Sequence, residues 1–418
     1  MSDHNALITQ LCQRARRATR KLAISDNDAR NEALQRTAAR FRKEVSLVVE
    51  ENSVDLENGR KTGLSAALLD RLRLDPERVE AMAAGMDVVA GLPDPLAKSL
   101  AEWSTEAGLR IVQTTIPIGV IAVVYESRPN VTADVAALCI KSGNVAILKG
   151  GKEAVRSNAV IADLIIEEFS AAGLPDHCVQ LIRSTDREAT LALLGQEDYV
   201  DVIIPRGGPG LVRAINQHSR IPVIKHYEGI CHTYVDDRAD LAVAADIAFN
   251  AKVQRPGVCN AMETLLVHCE VAQEFLPAIG SRLQEAGVEL RGCERTRAIL
   301  PDAVPATEED WRSEYLDLIL SIKVVDSLDE AIDFINDYGS GHSDCIVTTQ
   351  QGNANRFLAE VDSAVVYENA STRFTDGFEF GFGAELGIST NRLHARGPMG
   401  LRELTTYKYV VRGDGHVR

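Results

Sequence analysis

The chain has 418 residues, of which 45% are hydrophobic and 25% charged, a balance typical of a soluble globular protein with two or more domains. Its net charge of −15 argues against a nucleic-acid-binding or membrane-surface protein, because both classes present a basic face. No apolar run approaches the roughly 20 residues of a membrane span, and eight cysteines without a CxxC pair indicate reduced thiols. We therefore expect a cytoplasmic protein that binds neither nucleic acid nor membranes and holds no metal.

The sequence changes character along the chain. Residues 5–90 are predicted to be almost entirely helical, because Ala, Leu, Glu and Arg recur there with helical spacing. The segment 109–116 alternates and is rich in β-branched residues, which predicts a strand. Strand and helix signals then alternate through 120–218 and again through 264–367, and 404–412 alternates like a final strand. This rhythm predicts an α/β fold with doubly wound parallel sheets.

The same pattern divides the chain into three predicted units. A dinucleotide-binding domain covers residues 1–105 and 119–232, and a catalytic domain covers residues 233–400. A small strand pair, formed by residues 106–118 and 401–418, makes the third unit.

Cys259 is the residue that points most directly to chemistry. A helix is predicted over 240–251 and a short buried strand over 264–267, with a proline and a glycine between them. Cys259 therefore lies on a loop where a thiol can reach a substrate, and Arg255 can favour its nucleophilic thiolate form. The alternative is a small buried hydrophobe, which is the usual role of a free cysteine and the one we assign to the other seven.

The segment around Cys259 and several distant segments resemble one family. Residues 254–266 are similar to the nucleophile segment of the gamma-glutamyl phosphate reductases, which belong to the aldehyde dehydrogenase superfamily. The resemblance covers nearly the whole chain, and its other segments are residues 63–72, 91–95, 125–132, 381–390 and 394–400.

The resemblance implies a fold, an activity and partners. The fold would be aldehyde dehydrogenase-like, with two doubly wound α/β domains and a small β arm that mediates oligomerisation, so we expect a homodimer or homotetramer. The activity would be reduction of L-glutamyl 5-phosphate to L-glutamate 5-semialdehyde with release of phosphate, a step of proline biosynthesis. Glutamate 5-kinase, which makes the labile acyl phosphate, is a candidate partner.

The resemblance also assigns a dinucleotide site. A strand is predicted to end in Lys149 and a glycine pair, and Lys149 matches the lysine that contacts the adenosine ribose. Lys152 stands where members that prefer NAD carry an acidic residue; because an ammonium attracts a 2′-phosphate, we expect NADPH/NADP, the alternative being a solvated surface lysine. Gly207 and Gly208 open a glycine-rich turn before a helix, which favours a pyrophosphate. Glu314 resembles the glutamate that holds the nicotinamide ribose.

The implied chemistry needs oxyanion donors and a substrate pocket. Asn130 aligns with the oxyanion asparagine of the superfamily, and its amide and the backbone N–H of Cys259 are the candidate donors. The alternative for Asn130 is an Asx-turn or an N-cap ahead of the helix predicted from Thr132, and one residue could also combine this role with that of the oxyanion donor. The candidate substrate-binding residues are Arg255, Asn369, Ser371, Arg373 and Arg396.

Two other functions compete with the reductase. The first is a hydrolytic NAD(P)-dependent aldehyde dehydrogenase acting on a small amino-acid semialdehyde, which needs a glutamate base roughly thirty residues before the nucleophile. An ungapped count places His226 at that position, with Glu228 two residues beyond it, which predicts that the base is absent. The second is a catalytically silent scaffold, which the intact Cys259 and Asn130 disfavour.

Overall fold

The computed structural model describes residues 3–225 and 228–418, which fall into two compact units. Unit 1 comprises Met1–Lys225, Gly381–Gly387 and Met399–Arg418, and unit 2 comprises His226–Phe380 and Ile388–Pro398. Among the described residues, no helix has both the length and the apolar character that a bilayer span requires.

Unit 1 begins with a helical layer and continues as an α/β sheet. Its helices are α1 (Asp3–Leu22), α2 (Asn27–Lys43), α3 (Val45–Lys61), α4 (Ala66–Leu72), α5 (Pro76–Gly91), α6 (Asn130–Lys141), α7 (Val155–Ala171), α8 (Arg187–Leu194) and α9 (Pro209–His218). Its strands are β1 (Ser99–Ser104), β2 (Arg110–Pro117), β3 (Val120–Tyr125), β4 (Val145–Gly150), β5 (Val179–Leu181), β6 (Val202–Arg206) and β16 (Thr405–Arg412).

The helical start and the first α/β series predicted from the sequence are confirmed in unit 1. Ser65 and Asp75 begin α4 and α5 by accepting hydrogen bonds from backbone N–H groups of the first turn. β3 and most of β4 consist of buried apolar residues, as expected for parallel strands covered on both faces. The parallel sheet has the order β5-β4-β3-β6, so β3, β4 and β6 end along one edge, where ligands bind in open α/β sheets.

A second sheet of unit 1 contains three antiparallel strands in the order β1-β2-β16. The pairing of β2 with β16 confirms the two strands predicted at 109–116 and 404–412. The third strand, β1, was not predicted, and its residues were expected to belong to the dinucleotide-binding domain. All six residues of β1 are exposed, so its sequence lacks the alternation of apolar and polar residues that reveals a half-buried strand.

Unit 2 is built around one large sheet. Its helices are α10 (Leu241–Val253), α11 (Cys269–Glu285), α12 (Glu294–Ile299), α13 (Leu328–Tyr338) and α14 (Gln351–Glu360). Its strands are β7 (Cys231–Val235), β8 (Met262–His268), β9 (Glu289–Gly292), β10 (Val304–Pro305), β11 (Ile319–Val325), β12 (Ser343–Val347), β13 (Val365–Glu368), β14 (Ile388–Ser389) and β15 (Gly397–Pro398).

The large sheet has the order β10-β9-β11-β8-β7-β12-β13, and all of its neighbouring strands are parallel. The second α/β series predicted from the sequence is confirmed, and the short elements β9, α12 and β10 are additions to it. Because the strands run in one direction, the segments that lead into β7, β8 and β12 lie along the same edge. The segment before β8 carries Cys259.

Candidate active site

Cys259 is half-buried on a turn between α10 and β8. The Ala261 N–H donates a hydrogen bond to the Val258 carbonyl at 3.0 Å, which closes the turn around the thiol. Gly229 lies directly against this turn, since a Cβ added to it would fall 2.6 Å from the Cys259 Cα. No side chain fits there, so the contact of the two backbones holds the nucleophile in place.

A second cysteine supports the same turn from the start of β7. The buried Cys231 thiol donates a hydrogen bond to the Cys259 carbonyl across 3.2 Å. Burial raises the pKa of Cys231 well above its ordinary value, and the negative charge of Asp344 raises it further. Cys231 therefore stays protonated. A protonated thiol can donate the hydrogen bond to Cys259, but it is not the thiolate that nucleophilic attack requires.

The Cys259 loop is also joined at its two ends by a buried ion pair. Lys252 in the last turn of α10 donates a hydrogen bond to Glu263 on β8, with 2.6 Å between Nζ and Oε2. Both side chains are completely buried. The other oxygen of Glu263 accepts a hydrogen bond from the Leu316 N–H at 3.3 Å. A charge pair without access to water is held in one geometry, so it fixes the separation of the loop ends.

Two arginines gather near Cys259 in unit 2. Arg373 donates hydrogen bonds to Gln254, at 2.7 Å, and to the side-chain oxygen of Asn260. Its pKa is lowered, first by burial and then by the positive charge of Arg255, while the charge on Cys259 acts in the opposite direction. The structure therefore brings the predicted residues Arg255 and Arg373 together with the nucleophile, and two guanidinium groups can bind an anion there.

The other predicted substrate-binding residues are engaged within unit 2. The Asn369 amide makes two hydrogen bonds of 2.9 Å with the backbone of Thr348. Ser371 accepts a hydrogen bond from the Arg373 N–H and begins a short 3₁₀ helix over Thr372–Phe374. Arg396 forms an ion pair of 2.9 Å with Asp362. The contacts of Asn369 and Ser371 order the loop that carries Arg373, whereas Asp362, the partner of Arg396, precedes β13 and lies at the other end of that strand.

Glu314 lies beside the loop that contacts the nucleophile. Its pKa is raised mainly by burial; the Gly229 N–H hydrogen bond lowers it, and the charge of Glu228 raises it. Glu314 thus holds the glycine that packs against Cys259. The His226 prediction lies outside the described residues.

Unit 1 has a cavity of about 390 Å³ at the edge where β3, β4 and β6 end. The two lysines assigned to the cofactor, Lys149 and Lys152, both line it. Lys149 is buried and donates a hydrogen bond to the Gly150 carbonyl. Burial lowers the pKa of Lys149, while the nearby Glu153 carboxylate raises it. Arg187 at the start of α8 also lines the cavity, a third cation that sequence reasoning missed because it is 38 residues away from Lys149 in the chain.

Two carboxylates fix the loops around this cavity. Glu126 accepts a hydrogen bond from the Gly208 N–H at 3.1 Å, and the same side chain leaves no room for a Cβ at Gly207. Glu153 accepts hydrogen bonds from the N–H and the hydroxyl of Ser127, at 2.6 and 2.9 Å. Gly207 therefore permits a close approach of the Glu126 carboxylate, whereas a Cβ added to Gly208 would meet nothing within 4 Å. The contacts observed at both glycines are made by this protein carboxylate.

Asn130 is the first residue of α6, after an N-cap at Pro129, and makes no side-chain capping bond. The alternative that Asn130 is an N-cap is therefore wrong. Its side-chain nitrogen instead donates a hydrogen bond to the carboxylate of Asp134, one helical turn later, at 2.9 Å. Burial raises the pKa of Asp134 to about 6, whereas the hydrogen bond from Asn130 and the charge of Arg206 lower it.

Known proteins resemble this chain in both sequence and fold. A model of the aldehyde dehydrogenase family matches residues 2–298 and 291–410. Gamma-glutamyl phosphate reductase of Syntrophomonas wolfei is 52% identical over 406 residues, and that of Moorella thermoacetica is 54% identical over 406 residues; each alignment covers 97% of both chains. The crystal structure of gamma-glutamyl phosphate reductase from Thermotoga maritima has a TM-score of 0.96 at 47% identity and covers 98% of this chain and 99% of that chain. The predicted aldehyde dehydrogenase-like fold is confirmed.

Proposed function

Because this chain belongs to the gamma-glutamyl phosphate reductase family of aldehyde dehydrogenases, we propose that it reduces L-glutamyl 5-phosphate to L-glutamate 5-semialdehyde and releases phosphate. The observation that carries the proposal is the half-buried Cys259 thiol, fixed by Gly229 and Cys231 and accompanied by two arginines. This arrangement suits a nucleophile that attacks an anionic acyl group.

The reaction begins when the Cys259 thiolate attacks the carbonyl carbon of the acyl phosphate. The bond from that carbon to the phosphate oxygen breaks, phosphate leaves, and a thioester remains on Cys259. A reduced nicotinamide, when bound, supplies the hydride that the thioester carbon accepts. The resulting hemithioacetal collapses, which expels the Cys259 thiolate and releases the aldehyde. The Asn130 amide and the Cys259 N–H are the proposed donors to the oxyanion at each stage.

The proposed cofactor is NADPH. Lys152 and Arg187 line the cavity of unit 1 with Lys149, and an ammonium or guanidinium attracts a 2′-phosphate. Glu153, the acidic residue next to Lys152, accepts hydrogen bonds from Ser127. The ribose hydroxyls of NADH would have to compete with Ser127 for this carboxylate, which supports NADPH as the cofactor. Lys149 is proposed to contact the adenosine ribose, Gly207 and Gly208 the pyrophosphate, and Glu314 the nicotinamide ribose.

The proposed substrate contacts rest mainly on Arg255 and Arg373. Both carry a positive charge near Cys259, where the phosphate or the carboxylate of the substrate needs a counter-ion. Asn369 and Ser371 are proposed to act chiefly by holding the loop of Arg373, because their side chains already have partners within the chain. Arg396, which is paired with Asp362, is proposed as a further contact to the substrate carboxylate.

The proposed assembly is a homodimer or homotetramer formed through the sheet of β1, β2 and β16. Trp103, Tyr407 and Tyr409 are 42%, 48% and 55% exposed, and the Trp103 and Tyr409 rings meet edge to face at 6.0 Å. An exposed aromatic surface of this kind is suited to a partner. Glutamate 5-kinase remains the candidate for a second partner, because its product is the labile substrate.

The test runs the reaction in reverse. Purified protein with NADP⁺, phosphate and pyrroline-5-carboxylate, the cyclic form of the semialdehyde, should form NADPH only when phosphate is present. Cys259→Ser should abolish this activity and keep cofactor binding, whereas Cys269→Ser, at another half-exposed thiol, should retain it. Phosphate-independent NADPH formation with accumulation of glutamate would identify a hydrolytic dehydrogenase instead.

A further inference from the structure

Asp134 stands in an unusual place for an acidic residue. It is the one acid in α6, a helix whose residues from Val131 to Lys141 are otherwise all buried. A carboxylate half-buried among apolar neighbours loses hydration, and this loss disfavours it unless polar partners compensate. Its partners are the Asn130 amide, one turn earlier, and the positive charge of Arg206 at the end of β6.

Arg206 reaches this region because Gly387 has no side chain. A Cβ added to Gly387 would lie 2.6 Å from the Arg206 Nη1 atom. The glycine also has a φ of +138°, a conformation that other residues rarely adopt. The cation that balances Asp134 thus depends on the backbone of a neighbouring segment.

The Asn130–Asp134 contact determines which end of the Asn130 amide faces Asp134 and which end faces away from it. A carboxylate only accepts hydrogen bonds, so it attracts the NH₂ end of an amide and repels the oxygen end. At 2.9 Å the Asp134 oxygen takes one of the two N–H groups of Asn130. Because an amide is planar, the direction of the second N–H group is then set as well.

We propose that Asp134 is a positioning residue that fixes the Asn130 amide so that its second N–H group is presented to the oxyanion. This inference rests on the oxyanion role of Asn130 in the proposed function. Without Asp134 the amide rotates among its rotamers and can turn its oxygen outward, which removes the donor and places a negative dipole beside a developing negative charge.

A double-mutant cycle on kcat tests the proposal. The variants are Asn130→Ala, Asp134→Leu and the double variant; Leu suits the apolar surroundings of α6 and cannot accept a hydrogen bond. Asn130→Ala should lower kcat by about 10²- to 10³-fold, as loss of an oxyanion donor does. Asp134→Leu should lower kcat by about 10²-fold with little change in the KM for the cofactor. The double variant should be no slower than Asn130→Ala alone, because Asp134 acts only through Asn130.

Two further variants separate positioning from stability. Asp134→Asn keeps an oxygen acceptor at the same place and should recover most of the kcat that Asp134→Leu loses. Asp163→Ala removes an exposed carboxylate from α7 of the same unit and should leave kcat unchanged. Thermal unfolding and NADPH binding of each variant report whether the fold is intact.

Each outcome decides one claim. Losses in kcat that multiply in the double variant would overturn the proposal, as would full activity of Asp134→Leu beside a strongly impaired Asn130→Ala. Full activity of Asn130→Ala would instead refute the oxyanion role on which the inference rests. If Asp134→Leu does not fold, the cycle with Asp134→Ala serves the same purpose, and equal kcat of Asp134→Ala and wild type would again overturn the proposal.

Discussion

Replacing Lys252 with Met should strongly destabilise unit 2. The Lys252 Nζ and Glu263 Oε2 atoms are 2.6 Å apart, and neither side chain reaches solvent. The substitution leaves a buried carboxylate for which the described part of the chain offers one remaining donor, the Leu316 N–H at 3.3 Å. Loss of one partner of a buried pair costs about 3–5 kcal/mol, a large part of the roughly 5–15 kcal/mol that stabilises a domain.

The loss of stability should depend on pH. In the folded wild type, burial raises the pKa of Glu263 and the positive charge of Lys252 lowers it. Removing Lys252 takes away the lowering effect, so Glu263 has a higher folded-state pKa in the variant than in the wild type. The unfolded carboxyl titrates near a pKa of about 4.3. The folded pKa of Glu263 in the wild type is about 7, so wild type and variant lose stability alike between about pH 4.3 and 7. Above pH 7 the wild-type carboxyl ionises beside Lys252 while that of the variant stays protonated, so the destabilisation grows as the pH rises. Lys252→Met should therefore be less impaired at pH 5.5 than at pH 8.

Tryptophan fluorescence can isolate unit 2 in this assay. The chain has two tryptophans, and in a Trp103→Phe background the buried Trp311 of unit 2 becomes the sole reporter of urea unfolding. The matched control is Lys323→Met, which removes a partly exposed pair with Glu330 and should cost about 0–1 kcal/mol. Lys252→Met combined with Glu263→Leu should recover much of the lost stability, because no unpaired charge remains. A Lys252→Met variant within about 1 kcal/mol of wild type at pH 8 would refute this reasoning.

Three further changes test other parts of the structure. Gly229→Ala should lower kcat by at least about 10²-fold, because its Cβ would collide with the Cys259 backbone. The control Gly257→Ala should keep its activity, because the nearest atom to its Cβ is 3.7 Å away. Equal activities of the two variants would contradict a role of this packing in catalysis. Lys152→Glu should move the ratio of kcat/KM from NADPH toward NADH, and an unchanged ratio would show that Lys152 points into solvent. Tyr409→Glu should lower the mass measured by light scattering, because it places a charge in the exposed aromatic surface; an unchanged mass would place the subunit contact elsewhere.

The sequence predicted those features that depend on local patterns. The apolar runs of β3 and β4 and the alternation of helix and strand signals predicted both parallel sheets. The loop position of Cys259 followed from the end of α10 and the start of β8.

Features that depend on strand register could not be predicted in this way. Cys231 and Cys259 are 28 residues apart, and their hydrogen bond exists because β7 pairs with β8 in one particular register. Arg187 lines the same cavity as Lys149 because α8, the helix that begins at Arg187, packs beside it. The contact from Asn130 to Asp134, by contrast, has the spacing of one helical turn, so it can be predicted from the sequence when a helix is assigned to these residues.

The environments of the cysteines determine how the chain responds to electrophiles. Burial raises the pKa of five thiols, those of Cys12, Cys139, Cys178, Cys231 and Cys345, so these are protonated and shielded at neutral pH. Burial also raises the pKa of Cys293, but hydrogen bonds from Thr296 and neighbouring backbone N–H groups outweigh it and hold the pKa below its ordinary value. An alkylating probe aimed at Cys259 will therefore meet a competitor at Cys293. Active-site titration with such a probe becomes quantitative only after Cys293 has been replaced, and a covalent inhibitor gains selectivity only by recognising the groups around Cys259.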